Sequence, residues 1–189
     1  MVWPEDRDFL GDLLANDNLL LMPTDTVWGV IADATSETAI QRAIQLKGGG
    51  SHRGMIILVA DLDMLKALVP DLHPRLETLL TLHRRPLTVL YPQTRGLPQR
   101  LCGPWGEWAI RICLDPVLAP LIGHYGRPLV GTAASRYDEA IPLHFGEIRS
   151  DILEGVDYVA KWRRQEKDGR VPSAIVRLDE RQELEFVRE

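Results

Sequence analysis

Cysteine is almost missing from this chain. Cys102 and Cys113 are the only two and form no Cys-x-x-Cys pair, which excludes a disulfide scaffold. Both read as small core residues. The five histidines, His52, His73, His83, His124 and His144, lack the i, i+4 spacing and acidic neighbours of a zinc site, so no protein-held metal is expected. No apolar run approaches a membrane span, and the N-terminus, with Glu5, Asp6 and Asp8, lacks a signal peptide's basic and apolar regions. A cytoplasmic protein without a membrane partner is expected. A basic excess is missing too: the formal net charge is -5, so any basic surface for an anionic partner must be local. Neither repeats nor a second domain can be discerned.

What is present is a chain of 189 residues, 45% hydrophobic and 26% charged, ordinary for a globular protein and long enough for one sizeable core. One domain over 1–189 is expected. Residues 4–16 place Phe9, Leu10, Leu13 and Leu14 on one helical face behind Pro4. Leu19 to Met22, Val27 to Ile31, Met55 to Ala60 and Leu87 to Tyr91 read as buried strands, as do 108–113 and 127–130. Ser36 is placed to cap a helix that ends at Lys47 and the three glycines after it. Further helices are expected near 62–69, 74–83, after Pro116 and at 144–153, with strands near 156–160, 173–178 and 184–188. Alternating elements with hairpin-like pairings near 87–113 and at the C-terminus indicate an α/β (α+β) fold around a mixed sheet.

Two segments carry the chemistry. Pro23-Thr24-Asp25-Thr26-Val27-Trp28-Gly29 puts two hydroxyls and a carboxylate in a loop after a strand, where they serve either a turn or a ligand, with Trp28 as pocket wall or core. Lys47-Gly48-Gly49-Gly50-Ser51-His52-Arg53-Gly54 sets two cations astride glycines. It reads either as a helix C-cap or as an anion-binding nest of free amides, and it is not a Walker A loop. Strand ends collect ligand groups in open sheets, and both segments lie at such ends, as does Thr132 to Ser135.

Arg111 interrupts an apolar strand and needs an anion, for which Asp115 is the protein-borne candidate. Thr88 reads as a strand residue, and Ser173 as a turn or a phosphate ligand. The basic run Arg163, Arg164, Lys167 and Arg170, interleaved with Glu166 and Asp168, reads as a solvated loop or as a contact for a nucleotide or RNA.

Taken in order, these segments resemble the YrdC-like (Sua/YciO/YrdC) family of threonylcarbamoyl-AMP synthases. Pro23 to Gly29 is similar to its Pro-Thr-Asp-Thr-Val-Tyr-Gly signature, with Trp28 for tyrosine. Further matches run through Leu46-Lys47-Gly48, Arg53 to Leu58, Pro86 to Val89, Ala109-Ile110-Arg111, Arg127 to Val130 and Val171 to Val176. The chain reads as a divergent member: Gly49 stands where the family's Lys-x-Arg has arginine, and Ala133-Ala134-Ser135 replaces its Ser-x-Asn. Arg53 and Arg136 are the cations available to replace the missing one.

The resemblance implies a twisted mixed sheet around a positively charged cleft. It also implies a nucleotidyltransferase that joins L-threonine, bicarbonate and ATP into threonylcarbamoyl-AMP and pyrophosphate, for t6A modification of tRNA. Mg²⁺ accompanies ATP, and tRNA or a threonylcarbamoyl-transferase complex is the implied macromolecular partner. Lys47 and Arg53 would be catalytic, Thr24, Thr26 and Arg111 would bind threonine, and Lys47, Thr88, Thr132, Ser135 and Ser173 would bind the nucleotide. Some members carry an additional C-terminal domain, for which this chain is too short. The alternative is a paralogue that binds nucleotide or RNA without catalysis.

Overall fold

The structure, a computed structural model, describes residues 6–49, 54–104, 106–167 and 170–188. Among these residues its frame is a mixed sheet of nine strands: β1 (Leu20–Pro23), β2 (Trp28–Asp33), β3 (Ile56–Val59), β4 (Leu87–Tyr91), β5 (Trp108–Ile112), β6 (Leu129–Ala133), β7 (Tyr158–Val159), β8 (Ala174–Leu178) and β9 (Leu184–Arg188). The order across the sheet is β7-β1-β2-β6-β3-β5-β4-β8-β9. As the sequence predicts, β4 and β5 pair antiparallel, and β8 and β9 form a C-terminal hairpin. Every residue of β1, β2 and β4 is buried, as expected of strands covered on both faces, whereas every residue of the edge strand β9 is exposed.

Among the described residues six helices flank the sheet: α1 (Arg7–Ala15), α2 (Glu37–Leu46), α3 (Leu62–Leu68), α4 (Pro74–Leu82), α5 (Leu118–Tyr125) and α6 (Ser150–Glu154). α1 packs on α5 and β2, α2 on β2, α5 on β3, and α3 on β3 and β5. Leu10 and Leu14 of α1 are fully buried, which contributes about 1.5–3 kcal/mol each. Phe9, expected on the same face, is 48% exposed, with its ring in an edge-type contact with that of Tyr158. Pro4 lies outside the described residues, and Asp6 caps the helix. Ser36 caps α2 as expected, accepting from Ala39 N.

The helix expected over 144–153 is two pieces, a 3-10 turn at Phe145–Glu147 and then α6. Ile148 and Arg149 between them are extended, and Ile148 is buried, so the turn ends where the chain dips into the core. Cys102 and Cys113 are buried and free.

Candidate functional site

A cleft of about 290 Å³ opens over the middle of the sheet. Alternation along the strands puts Gly29 and Ile31 of β2, Gly131 and Ala133 of β6, Leu58 of β3 and Arg111 of β5 in its lining. A Cβ at Gly131 would lie 3.0 Å from Leu58 Cδ1 and 3.2 Å from Ile31 Cδ1, so a side chain there would require these two to give way. Among the described residues the charged lining consists of Lys47, Arg111, Arg136 and Arg188 against Glu107 and Glu139. Although the chain is acidic overall, its cleft is locally cationic.

One wall is the loop between β1 and β2. Thr24 Oγ1 accepts from Thr26 N (3.0 Å), donates to Val27 O (2.8 Å) and lies 3.0 Å from Thr26 Oγ1. Arg111 Nη1 donates to Thr26 Oγ1 (3.2 Å) and Nη2 pairs with Asp25 Oδ1 (3.0 Å), with both partners of the pair about 5% exposed or less. Asp25 Oδ2 accepts from Leu114 N. The loop is therefore both a turn and a cleft wall, since Thr24 and Thr26 line the cavity.

Asp115 is not the partner of Arg111. It pairs with Arg163 (2.8 Å) and accepts from Val117 N and Leu118 N at the start of α5, short-range bonds that engage its carboxylate. Arg163 also donates to Thr24 O (3.1 Å), and Arg164 donates to Val159 O and Ala160 O with its guanidinium over the Phe145 ring. These two arginines of the basic run are built into the protein rather than solvated. Asp168 lies outside the described residues.

The facing wall begins at the end of α2. The amides of Gly48 and Gly49 donate to Gln45 O and Ile44 O, and φ is +100° and +73°. At these two positions the glycines form a helix C-cap, so their amides are not free for an anion. Arg53, with Gly50 to His52, lies outside the described residues. Lys47 is 4% exposed, and its Nζ donates to Ala133 O (2.7 Å) and to Ser135 O. Burial lowers its pKa from 10.5 to about 8. The Tyr137 ring lies 5.1 Å from Nζ, and its hydroxyl is buried without a partner among the described residues.

The third side is the β4–β8 region. Ser173 lines the cleft, and its hydroxyl lies 2.8 Å from that of Thr88, which is fully buried beneath it. Thr132 and Ser135 line the cleft from β6 and the loop after it. The structure thus gathers Thr24, Thr26, Lys47, Arg111, Thr132, Ser135 and Ser173 around one cavity, with Thr88 as support. Trp28 instead packs in the core against Phe145 (4.9 Å between rings) and is not part of the lining.

Sequence reasoning missed Arg188. Its guanidinium donates to Ser173 O at 2.9 and 3.2 Å and lines the cleft. Its pKa is lowered, first by the partial desolvation of its guanidinium at the cleft and then by the charge of Arg111. The signal was the C-terminal hairpin, whose antiparallel register brings its last residue back beside Ser173.

A family profile for Sua5, YciO and YrdC, described as telomere recombination, matches residues 12–189. The threonylcarbamoyl-AMP synthase of Enterobacter sp. (strain 638) is 31% identical over 127 residues, covering 66% of this chain and 67% of that relative. P. abyssi Sua5 complexed with L-threonine has a TM-score of 0.84 at 21% identity over 100% of this chain and 55% of its own. E. coli YciO has 0.80 at 17% identity, over 97% of this chain and 88% of its own. These two structures share the fold, and the chain spans about half the length of Sua5.

Proposed function

Because the chain belongs to the Sua5, YciO and YrdC family, we propose that it is a threonylcarbamoyl-AMP synthase acting on L-threonine, bicarbonate and ATP. The observation that carries this reading is the cationic cleft in an acidic chain, with hydroxyls on one wall and a buried lysine on the other. Threonine's amine condenses with bicarbonate to a carbamate and water. A carbamate oxygen then attacks the α-phosphorus of ATP, the new P–O bond forms, and the bond to pyrophosphate breaks. The carbamate is already an anionic nucleophile, so the protein's task is orientation and charge stabilisation.

Thr24 and Thr26 border the threonine subsite. Arg111, whose Nε is buried without a partner among the described residues, retains a donor for the substrate carboxylate. Lys47 faces the phosphates, the role the resemblance also gives to Arg53, with Thr132, Ser135 and Ser173 as polar contacts for the nucleotide and Thr88 beneath Ser173. Mg²⁺ enters as part of the ATP substrate, held chiefly by its phosphates. The product serves t6A formation on tRNA through a transferase partner.

The test is to incubate the protein with ATP, bicarbonate and labelled threonine. Threonine-dependent pyrophosphate and labelled adenylate are expected, with Lys47→Ala losing most turnover while melting normally. A second reading, nucleotide binding without chemistry, is favoured by the absence of a side chain at Gly49 and by the Gly48 and Gly49 amides being spent on the helix cap. It predicts ATP binding with no pyrophosphate released.

A further inference from the structure

On the nucleotide reading above, a polyphosphate in the cleft needs cations free to turn toward it. Lys47 offers its charge only from a fixed position, because its ammonium already serves two carbonyls. Arg111 is matched by Asp25. Gly49 offers no side chain, and a Cβ there would touch nothing within 4 Å.

Arg136 differs from all three. It follows Ser135 directly, lines the cleft, and its Nη1 lies 3.7 Å from where a Cβ at Gly48 would stand. Nε and Nη2 pair with Asp151 Oδ2 at 2.9 and 2.7 Å, while Nη1 makes no hydrogen bond among the described residues. The side chain is 45% exposed, so the pair with Asp151 contributes little to stability, whereas a charge-assisted bond to phosphate is among the stronger contacts available. Asp151 is shared with Arg149, whose Nε lies 3.0 Å from Oδ1, so it keeps a partner when Arg136 shifts.

We propose that Arg136 is a polyphosphate-binding residue of this cleft, parked beside Gly48 by Asp151 and free to give its outer Nη1 to the anion. The cation that position 49 lacks is thereby supplied from the neighbouring loop after β6.

Calorimetric titration with inorganic triphosphate tests this directly. Arg136→Ala and Arg136→Gln are each expected to weaken binding about tenfold, as loss of one charged phosphate contact does. Arg149→Ala removes the same charge from the same cluster but from outside the cleft, and is expected to change binding less than twofold. L-threonine, titrated second, is expected to bind all four proteins alike. The proposal is overturned if the Arg136 variants bind as tightly as wild type, if Arg149→Ala loses as much, or if wild type does not bind triphosphate. A wild type that binds triphosphate through Arg136 but ignores threonine leaves this proposal standing and defeats the synthase reading. Thermal melts check that the variants are folded.

Discussion

At the Thr24 wall, Arg111 with Asp25 and Arg163 with Asp115 form two ion pairs whose members are between 1% and 17% exposed. At the facing wall, Arg136 pairs with Asp151, which it shares with Arg149 outside the cleft, through side chains 31% to 56% exposed, next to two glycines in left-handed conformation. Buried charges cannot change partner without being stranded, whereas exposed ones exchange partners at little cost. The first wall therefore has its shape before any ligand arrives, and the second is where an incoming anion finds side chains able to turn. The bonds of the first wall also tie distant chain segments: Arg163 to Thr24 spans 139 residues, and Arg111 to Thr26 spans 85.

The sharpest way to break this comparison is to remove one arginine from each wall. Arg111→Ala strands the Asp25 carboxylate in the core and is expected to cost about 3–5 kcal/mol in urea unfolding. Arg136→Ala removes a half-exposed pair and is expected to cost no more than about 1 kcal/mol. Equal losses would mean that the two walls do not differ as their burial suggests.

A smaller change probes the first wall without touching a charge. Thr24→Val keeps the shape of the side chain but deletes an oxygen that serves Thr26 N and Val27 O, leaving both inside the protein. A loss of about 1–3 kcal/mol is expected, again by urea unfolding. A variant as stable as wild type would make the hydroxyl dispensable to the turn.

The same contrast explains which parts were legible in the sequence. Strand and helix positions followed from apolar spacing, and the Thr24 loop declared itself because its residue types and its place after a strand both point to a site. Arg111 was legible as a buried cation in need of an anion, but not its partner. Asp115 is near in sequence yet turned to cap α5, while Asp25 is reached only because β5 and the β1–β2 loop converge in the fold. Arg163 and Arg164 were misread for a related reason: charge density along a chain predicts exposure only when no buried carboxylate or carbonyl waits in the folded protein. The second wall resisted reading because its glycines suit a cap and an anion loop equally, and only the hydrogen bonds of Gly48 and Gly49 decide between them.

The finest test addresses Lys47, which belongs to the second wall by position but to the first by burial. Its folded pKa of about 8 lies below the usual 10.5, so between these values the unfolded chain holds more protons than the folded one. Stability contributed by this residue therefore rises as pH rises through that window, by at most about 1.4 kcal/mol per pH unit. Lys47→Met removes the titration while keeping an unbranched side chain. The stability difference between wild type and Lys47→Met, measured by urea unfolding from pH 7 to 10, is expected to shift in favour of wild type above pH 8. Binding of an anion that needs the charged ammonium should weaken over the same range. A flat difference would mean that the two carbonyls of Ala133 and Ser135 hold the proton as firmly as water does, and Lys47 would then act as a fixed strut of the wall rather than a titrating group within it.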